Sequence, residues 1–306
     1  MWCTVSHTPD PTMRFIRADI LLLLAAAIWG AGFVAQRSAA DHLSPAAFNA
    51  IRFGLGLLIL LPLAVRSMRE MDPPARSALK AGSLFAGGIL FLGANLQQWG
   101  MESTTAGNGG FITGLYVIFV PILGLFLKHR VSASIWIACV LAVIGMALLT
   151  LGSSDAAAWS INTGDALVLA GAAVWACHVL SIGWFVQKTR PIPLAAGQLL
   201  VAGVLSTIWA VAFAPPTMEA IAQATWPLLY SGIMAVGVAF TLQVIAQRSA
   251  PPAHTAILLS FEAVFAVLAG WLLLHELLTP WQLAGCGLML AGMFLASLRP
   301  GARRLP

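Results

Sequence analysis

Long apolar runs alternate with short polar punctuation along nearly the whole chain. Ten stand out, at about 19–37, 45–66, 76–98, 104–127, 132–151, 164–187, 192–213, 224–247, 253–274 and 280–298. Each is close to the roughly 20 residues that an α-helix needs to cross a bilayer. In hydrocarbon a segment must satisfy its own backbone hydrogen bonds, so apolar runs of this length read as helices. The pattern predicts an all-α polytopic membrane protein with ten transmembrane helices. The stretch from Asn95 to Pro121, NLQQWGMESTTAGNGGFITGLYVIFVP, reads as the end of the third helix, a tight turn and the start of the fourth. Its amides at Asn95, Gln97, Gln98 and Asn108 need polar partners, either on neighbouring helices or in a cavity that a polar solute enters.

Composition supports the membrane reading, because only 9% of the 306 residues are charged against roughly a quarter in soluble domains. The formal charge of +5 would suit nucleic acid, but its placement follows membrane topology instead. With the N-terminus inside, cytoplasmic segments hold Arg14, Arg17, Arg66, Arg69, Arg76, Lys80, Lys128, Arg130, Lys188, Arg190, Arg248, Arg299, Arg303 and Arg304. Only Arg37 falls outside and only Arg52 within a helix, so the bias of basic loops puts both termini in the cytoplasm. Cys3, Cys139, Cys177 and Cys286 lack paired spacing and read as packing residues. No motif for a nucleotide, a metal or intramembrane hydrolysis is found, so no cofactor is expected and an enzyme is disfavoured.

Residues 1–18 read as a cytoplasmic leader and 299–306 as a tail. Arg14 and Arg17 precede an apolar run containing Ala25-Ala26-Ala27, which reads as a signal anchor because nine apolar segments follow it. An external linker at 152–163 divides the rest into 19–151 and 164–298. Asp19 with Trp29 recurs as Asp165 with Trp175, a shift of 146 that also pairs Arg52 with Gln198, Gln97 with Gln243, Ser103 with Ser249 and Asn108 with His254. Gly145 and Gly292 follow at a shift of 147. A nearly constant shift across five helices indicates internal duplication. Five is odd, so the second half enters the membrane in the opposite sense, giving two inverted five-helix repeats of the kind transporters use for alternating access.

At this point the chain resembles the drug/metabolite transporter superfamily in its ten-helix EamA branch, over about residues 18–298. The resemblance rests on AAAIWGAGFVAQR, AFNAIRFGLGLLILLPL, GNGGFITGLYVIFVPILGLFL and AILLSFEAVFAVLAGWLLLHELLTPWQLAGCGLMLAGMFL. It implies export or exchange of small metabolites, often amino acids, across the cytoplasmic (inner) membrane. Members similar to the YddG-type aromatic amino acid exporters share the layout. The chain departs from the family at Ala263, where many members carry proline, and at His129, where the first repeat often ends its fourth helix with glutamate. The expected partners are a small solute and the lipid bilayer, with no nucleic acid and no obligatory protein. A multidrug or cation exporter of the same fold, an intramembrane enzyme and a non-transporting sensor stand as alternatives.

Candidate cavity residues follow from polarity and depth. Glu262 lies near the middle of the ninth helix, where an ionised carboxylate costs roughly 2.5–3.5 kcal/mol. It reads either as a proton or ammonium site or as a structural carboxylate bonded to a neighbour such as Ser260. Trp29 and Trp175 occupy matching, mid-membrane positions and suit cavity lining. His178 is one turn from Trp175 on nearly the same face. Asn95 with Gln98, and Gln243 with Gln247, form two amide pairs that each share a helical face, joined by Asn108 and Tyr116, with His254 nearby. Gln97 is expected to point elsewhere. Arg52 is read first as snorkelling or structurally paired, with a solute carboxylate as the alternative partner.

Overall fold

The computed structural model describes residues 11–151, 162–274 and 279–297. The leader up to residue 10, linker residues 152–161, residues 275–278 (including His275 and Glu276 of the WLLLHE motif) and the tail from residue 298 lie outside the described residues. Among the described residues all regular structure is helical. The first half comprises α1 (Pro11–Ala40), α2 (Pro45–Arg69), α3 (Pro73–Gly100), α4 (Ala106–Gly114), α5 (Tyr116–Phe126) and α6 (Ala133–Leu151). The second comprises α7 (Thr163–Phe185), α8 (Pro191–Phe213), α9 (Met218–Gln223), α10 (Thr225–Leu229), a π-helical segment (Tyr230–Ala239), α11 (Phe240–Ala246), α12 (Pro252–Leu259), α13 (Glu262–Leu274) and α14 (Pro280–Ser297).

Local chemistry sets the helix starts. Ser44 and Asp72 cap α2 and α3 from their side chains, each followed by proline at the first helical position, where no amide proton is needed. At α7, Asn162 and Asp165 bond reciprocally to each other's backbone amides. Seven helical segments are long and apolar enough to span a membrane, and Ala133–Leu149, Pro252–Leu268 and Pro280–Ala296 are shorter apolar helices. Leu58, Leu84, Phe126, Ile208 and Phe213 are all more than 60% exposed. Large apolar side chains turned outward on this scale suit a lipid surround rather than water.

The two halves are packed through each other. Helix α3 lies against α7 and α8, while the π-helical segment and α11 of the second half lie against α1. Helices α2 and α8 pack together, as do α6 and α14. At that last contact the backbones nearly touch, since a methyl group at Gly145 would sit 2.7 Å from the Gly285 carbonyl oxygen.

Two rods are interrupted at mid-length. Between α4 and α5 the amide of Leu115 bonds back three residues to Ile112, and between α12 and α13 that of Phe261 bonds back to Leu258, so each helix tightens locally. The two breaks lie 146 residues apart. Ala263 removed the expected proline signal, yet the second break forms without one. The hydroxyl of Ser260 donates to the Ile257 carbonyl at 2.8 Å and competes with the regular ladder.

Candidate functional site

The interrupted rods, α1, α2, α3, α7, the π-helical segment and α11 line a cavity of about 60 Å³. Its walls carry five pairs of residues separated by the 146-residue shift. They are Trp29 with Trp175, Phe33 with Val179, Gln97 with Gln243, Thr113 with Leu259, and Tyr116 with Glu262. Gln36, Arg52, His178, Ala235, Val236 and Phe240 complete the lining.

Aromatic rings form one part of the wall. Phe240 meets Trp29 edge-on at 5.0 Å and lies nearly parallel to Trp175 at 6.0 Å. The indole of Trp29 donates to the backbone carbonyl of Ala235 at 2.9 Å, inside the π-helical segment. Tyr230 at the start of that segment donates to the Ile28 carbonyl at 2.7 Å. A π-helix widens the backbone ring and leaves carbonyls off the usual ladder. These bonds tie that looser stretch to α1.

A chain of amides crosses the other part. Trp175 donates to Gln97 Oε1 at 2.7 Å, and Gln97 Nε2 donates to Gln36 Oε1 at 2.9 Å. Gln97 therefore faces the cavity, contrary to the expectation that it pointed away. Helical spacing shows which residues share a face, but only the crossing of α3 over α7 shows which face turns inward. His178 Nε2 shares a 2.7 Å hydrogen bond with Gln198 Oε1, and its ring stands perpendicular to Trp175.

Of the ten residues picked from sequence, Trp29, Tyr116, Trp175, His178, Gln243 and Glu262 line the cavity. The other four lie outside it. Asn95 turns back on its own helix, donating to the Phe91 carbonyl at 2.7 Å. Gln98 donates to the Gln36 backbone carbonyl at 2.9 Å and Gln247 to that of Val179 at 2.8 Å, so both join helices. Asn108 lies half-buried in the first turn of α4. The residues not picked carried a readable signal. Phe33 and Gln36 follow Trp29 by four and seven, Thr113 precedes Tyr116 by three, and Phe240 precedes Gln243 by three, all on shared helical faces.

Two ionisable groups of opposite type, one acidic and one basic, face this space. Glu262 is 3% exposed and its Oε1 has no hydrogen-bond partner, the Tyr116 hydroxyl lying beside it without closing a well-formed bond. Arg52 is 6% exposed, so of the two readings first given it, snorkelling and structural pairing, the first does not hold, while its Nε donates to Asn49 Oδ1 at 2.8 Å. It points inward because α2 packs on α8 and on the π-helical segment, and depth along a helix does not reveal the direction a side chain takes. Thr113 Oγ1, Tyr116 Oη, His178 Nδ1 and Gln243 Oε1 also lack protein partners. Native interiors rarely leave buried polar atoms unpaired, and five of the eleven such side-chain atoms among the described residues belong to residues lining this cavity.

The two ends of the bundle are held by related contacts. At one end His254 Nε2 meets Asp19 Oδ1 at 2.8 Å, and at the other Thr104 donates to Asp165 Oδ1 at 2.5 Å. Asp19 and Asp165 are again 146 apart. Asp165→Ala would remove the bond to Thr104 and the return bond to the Asn162 amide. Stability is expected to fall by about 1–2 kcal/mol, read as a lower midpoint in thermal unfolding of the detergent-solubilised protein.

The sequence profile of the EamA-like transporter family matches residues 16–151 and, a second time, 162–298. The chain belongs to that family. An uncharacterised transporter from Archaeoglobus fulgidus is 34% identical over 293 residues, covering 94% of this chain and 88% of that protein. The threonine/homoserine exporter RhtA of Escherichia coli K12 is 26% identical over 302 residues, covering 91% and 90%. The uncharacterised transporter YoaV of Bacillus subtilis is 24% identical over 290 residues, covering 91% and 96%. One crystal structure aligns with a TM-score of 0.75 over 92% of this chain and 96% of that one, at 17% identity, and so shares the fold. Membership in the EamA-like family makes this protein a membrane transporter, and its family and relatives are transporters rather than enzymes.

Proposed function

We propose that the protein exports small polar metabolites of the amino acid class across the cytoplasmic membrane by alternating access. It does so with ten transmembrane helices arranged as two inverted repeats, 19–151 and 164–298, and with both termini in the cytoplasm. The observation that carries this reading is the cavity itself, walled by five residue pairs at one constant shift. A site shared between two related, oppositely inserted halves can open to either side as the halves exchange conformations. Trp29, Tyr116, Trp175, His178, Gln243 and Glu262 are its proposed contacts with solute, joined by Gln36, Arg52, Gln97 and Thr113. Asn95, Gln98, Asn108 and Gln247 are proposed to hold the frame around it.

The amino acid class is supported by the similarity to the threonine/homoserine exporters and by a wall that mixes amides with both signs of charge. The rings of Trp29, Trp175 and Phe240 would also suit an organic cation. The buried guanidinium of Arg52 argues against that occupant, because an organic cation offers it no partner.

The test is flux of radiolabelled threonine, homoserine and phenylalanine into proteoliposomes holding the purified protein. Saturable uptake of at least one, absent from empty vesicles, is the expected result. Uptake of organic cations in preference to every amino acid would overturn the reading.

A further inference from the structure

We propose that Arg52 and Glu262 form a split-charge site for an amino acid zwitterion, with Arg52 taking the carboxylate and Glu262 the ammonium. The inference rests on the amino acid reading above and deepens it by naming the groups a substrate must carry.

Arg52 has hydrogen-bonding capacity that the protein does not use. Its guanidinium is always protonated and offers five donors in a planar fork. One is used, from Nε to Asn49 Oδ1 at 2.8 Å. The rings of Phe48 and Phe53 lie 4.9 and 5.3 Å from the guanidinium carbon and hold the plane in position. Among the described residues the ion pairs are Arg37 with Asp41, Arg190 with Glu70 and His254 with Asp19, so no described carboxylate pairs with Arg52. A fork of this shape matches a carboxylate in two parallel hydrogen bonds.

Glu262 presents the complementary deficit in the same cavity, a buried carboxylate with an unpartnered oxygen. Each charge is costly to bury without a partner. A solute carrying both a cation and an anion offers each of these groups a partner within the one cavity. An amine would leave Arg52 unpaired, and an acid without an ammonium group would leave Glu262 unpaired.

The repeat explains why the charges differ in sign. The position matching Arg52 in the second half is Gln198, which is occupied by His178. The position matching Glu262 in the first half is Tyr116. One half therefore supplies the cation and the other the anion. A bound zwitterion bridges the two halves, which ties occupancy to their relative position.

The experiment measures equilibrium binding of threonine, homoserine and phenylalanine to the full-length protein in detergent. The amide and the N-acetyl derivative of each bound amino acid are then measured. In the wild type both derivatives are expected to bind at least about 30-fold more weakly than the free amino acid, the effect of leaving one buried charge unpaired. In Arg52→Gln the free amino acid is expected to weaken by a similar factor and its preference over the amide to vanish. Arg52→Lys, which keeps the charge, is expected to retain that preference. The proposal is overturned if the wild type binds the amide as tightly as the free amino acid, or if Arg52→Gln keeps the preference. Should Arg52→Gln fail to fold, the wild-type derivative series decides alone. Binding of none of the three amino acids would overturn the amino acid reading itself, and this inference with it.

Discussion

Glu262→Gln is expected to reduce amino acid flux by a factor of 100 or more, on the order of magnitude of a lost buried charge pair, while leaving the fold intact. The amide has nearly the shape of the carboxylate and keeps one acceptor. It also removes the roughly 2.5–3.5 kcal/mol that an ionised side chain costs at mid-membrane. Because Oε1 makes no hydrogen bond to the protein, little structural support is lost with the charge. The midpoint of thermal unfolding should therefore stay level or rise while transport collapses. Paired measurement of proteoliposome flux and unfolding of the same preparation checks both halves of this expectation. A lower midpoint with flux preserved would make Glu262 a structural residue.

Gly30→Ala is expected to be nearly as damaging, through packing rather than charge. At this position α1 and α13 approach so closely that an added methyl carbon would lie 2.5 Å from the Glu262 carbonyl oxygen and 2.9 Å from both the Ala266 amide and Phe265 Cβ. Two of these three neighbours are backbone atoms and cannot turn aside, so the helices must separate. Overpacking of this kind typically costs about 1–3 kcal/mol. The displaced element begins with Glu262, so the carboxylate also shifts relative to Tyr116 and the cavity. Both the unfolding midpoint and the flux should fall. Gly54→Ala is the control, since nothing lies within 4 Å of its added methyl, and alanine is the better helix former by about 1 kcal/mol. Equal behaviour of the two variants would remove the close contact from the account.

The two residues show different routes to recognition. Glu262 was visible from sequence because a carboxylate amid apolar residues is expensive wherever it points. Gly30 was not, because its role depends on how near a distant segment comes. Arg52 lies between these cases. Its place along the second helix was readable, but snorkelling and inward burial predict the same sequence, and the packing of α2 against α8 distinguishes them. The amides divide in the same way. Gln243 faces the cavity whereas Gln247, one turn away, bonds to the Val179 carbonyl, a difference that periodicity does not carry.

From the sequence alone came the membrane class, the positions of the apolar helices, the break in basic charge between loops, the 146-residue shift and the resemblance to the EamA branch. All of these arise from properties that act along the chain. Hydrocarbon selects apolar runs of fixed length, and the 146-residue shift is a matter of spacing along the chain. Tertiary structure alone decided which residues of a helical face turn inward, where α12 gives way to α13 without a proline, and how Gln36, Gln97 and Trp175 join in one chain of hydrogen bonds. It also brought Arg52 and Glu262 to the same cavity. Those outcomes depend on the rotation and crossing of helices far apart in sequence, set by close backbone contacts such as Gly30 against α13 and Gly145 against α14, which a one-dimensional pattern cannot encode.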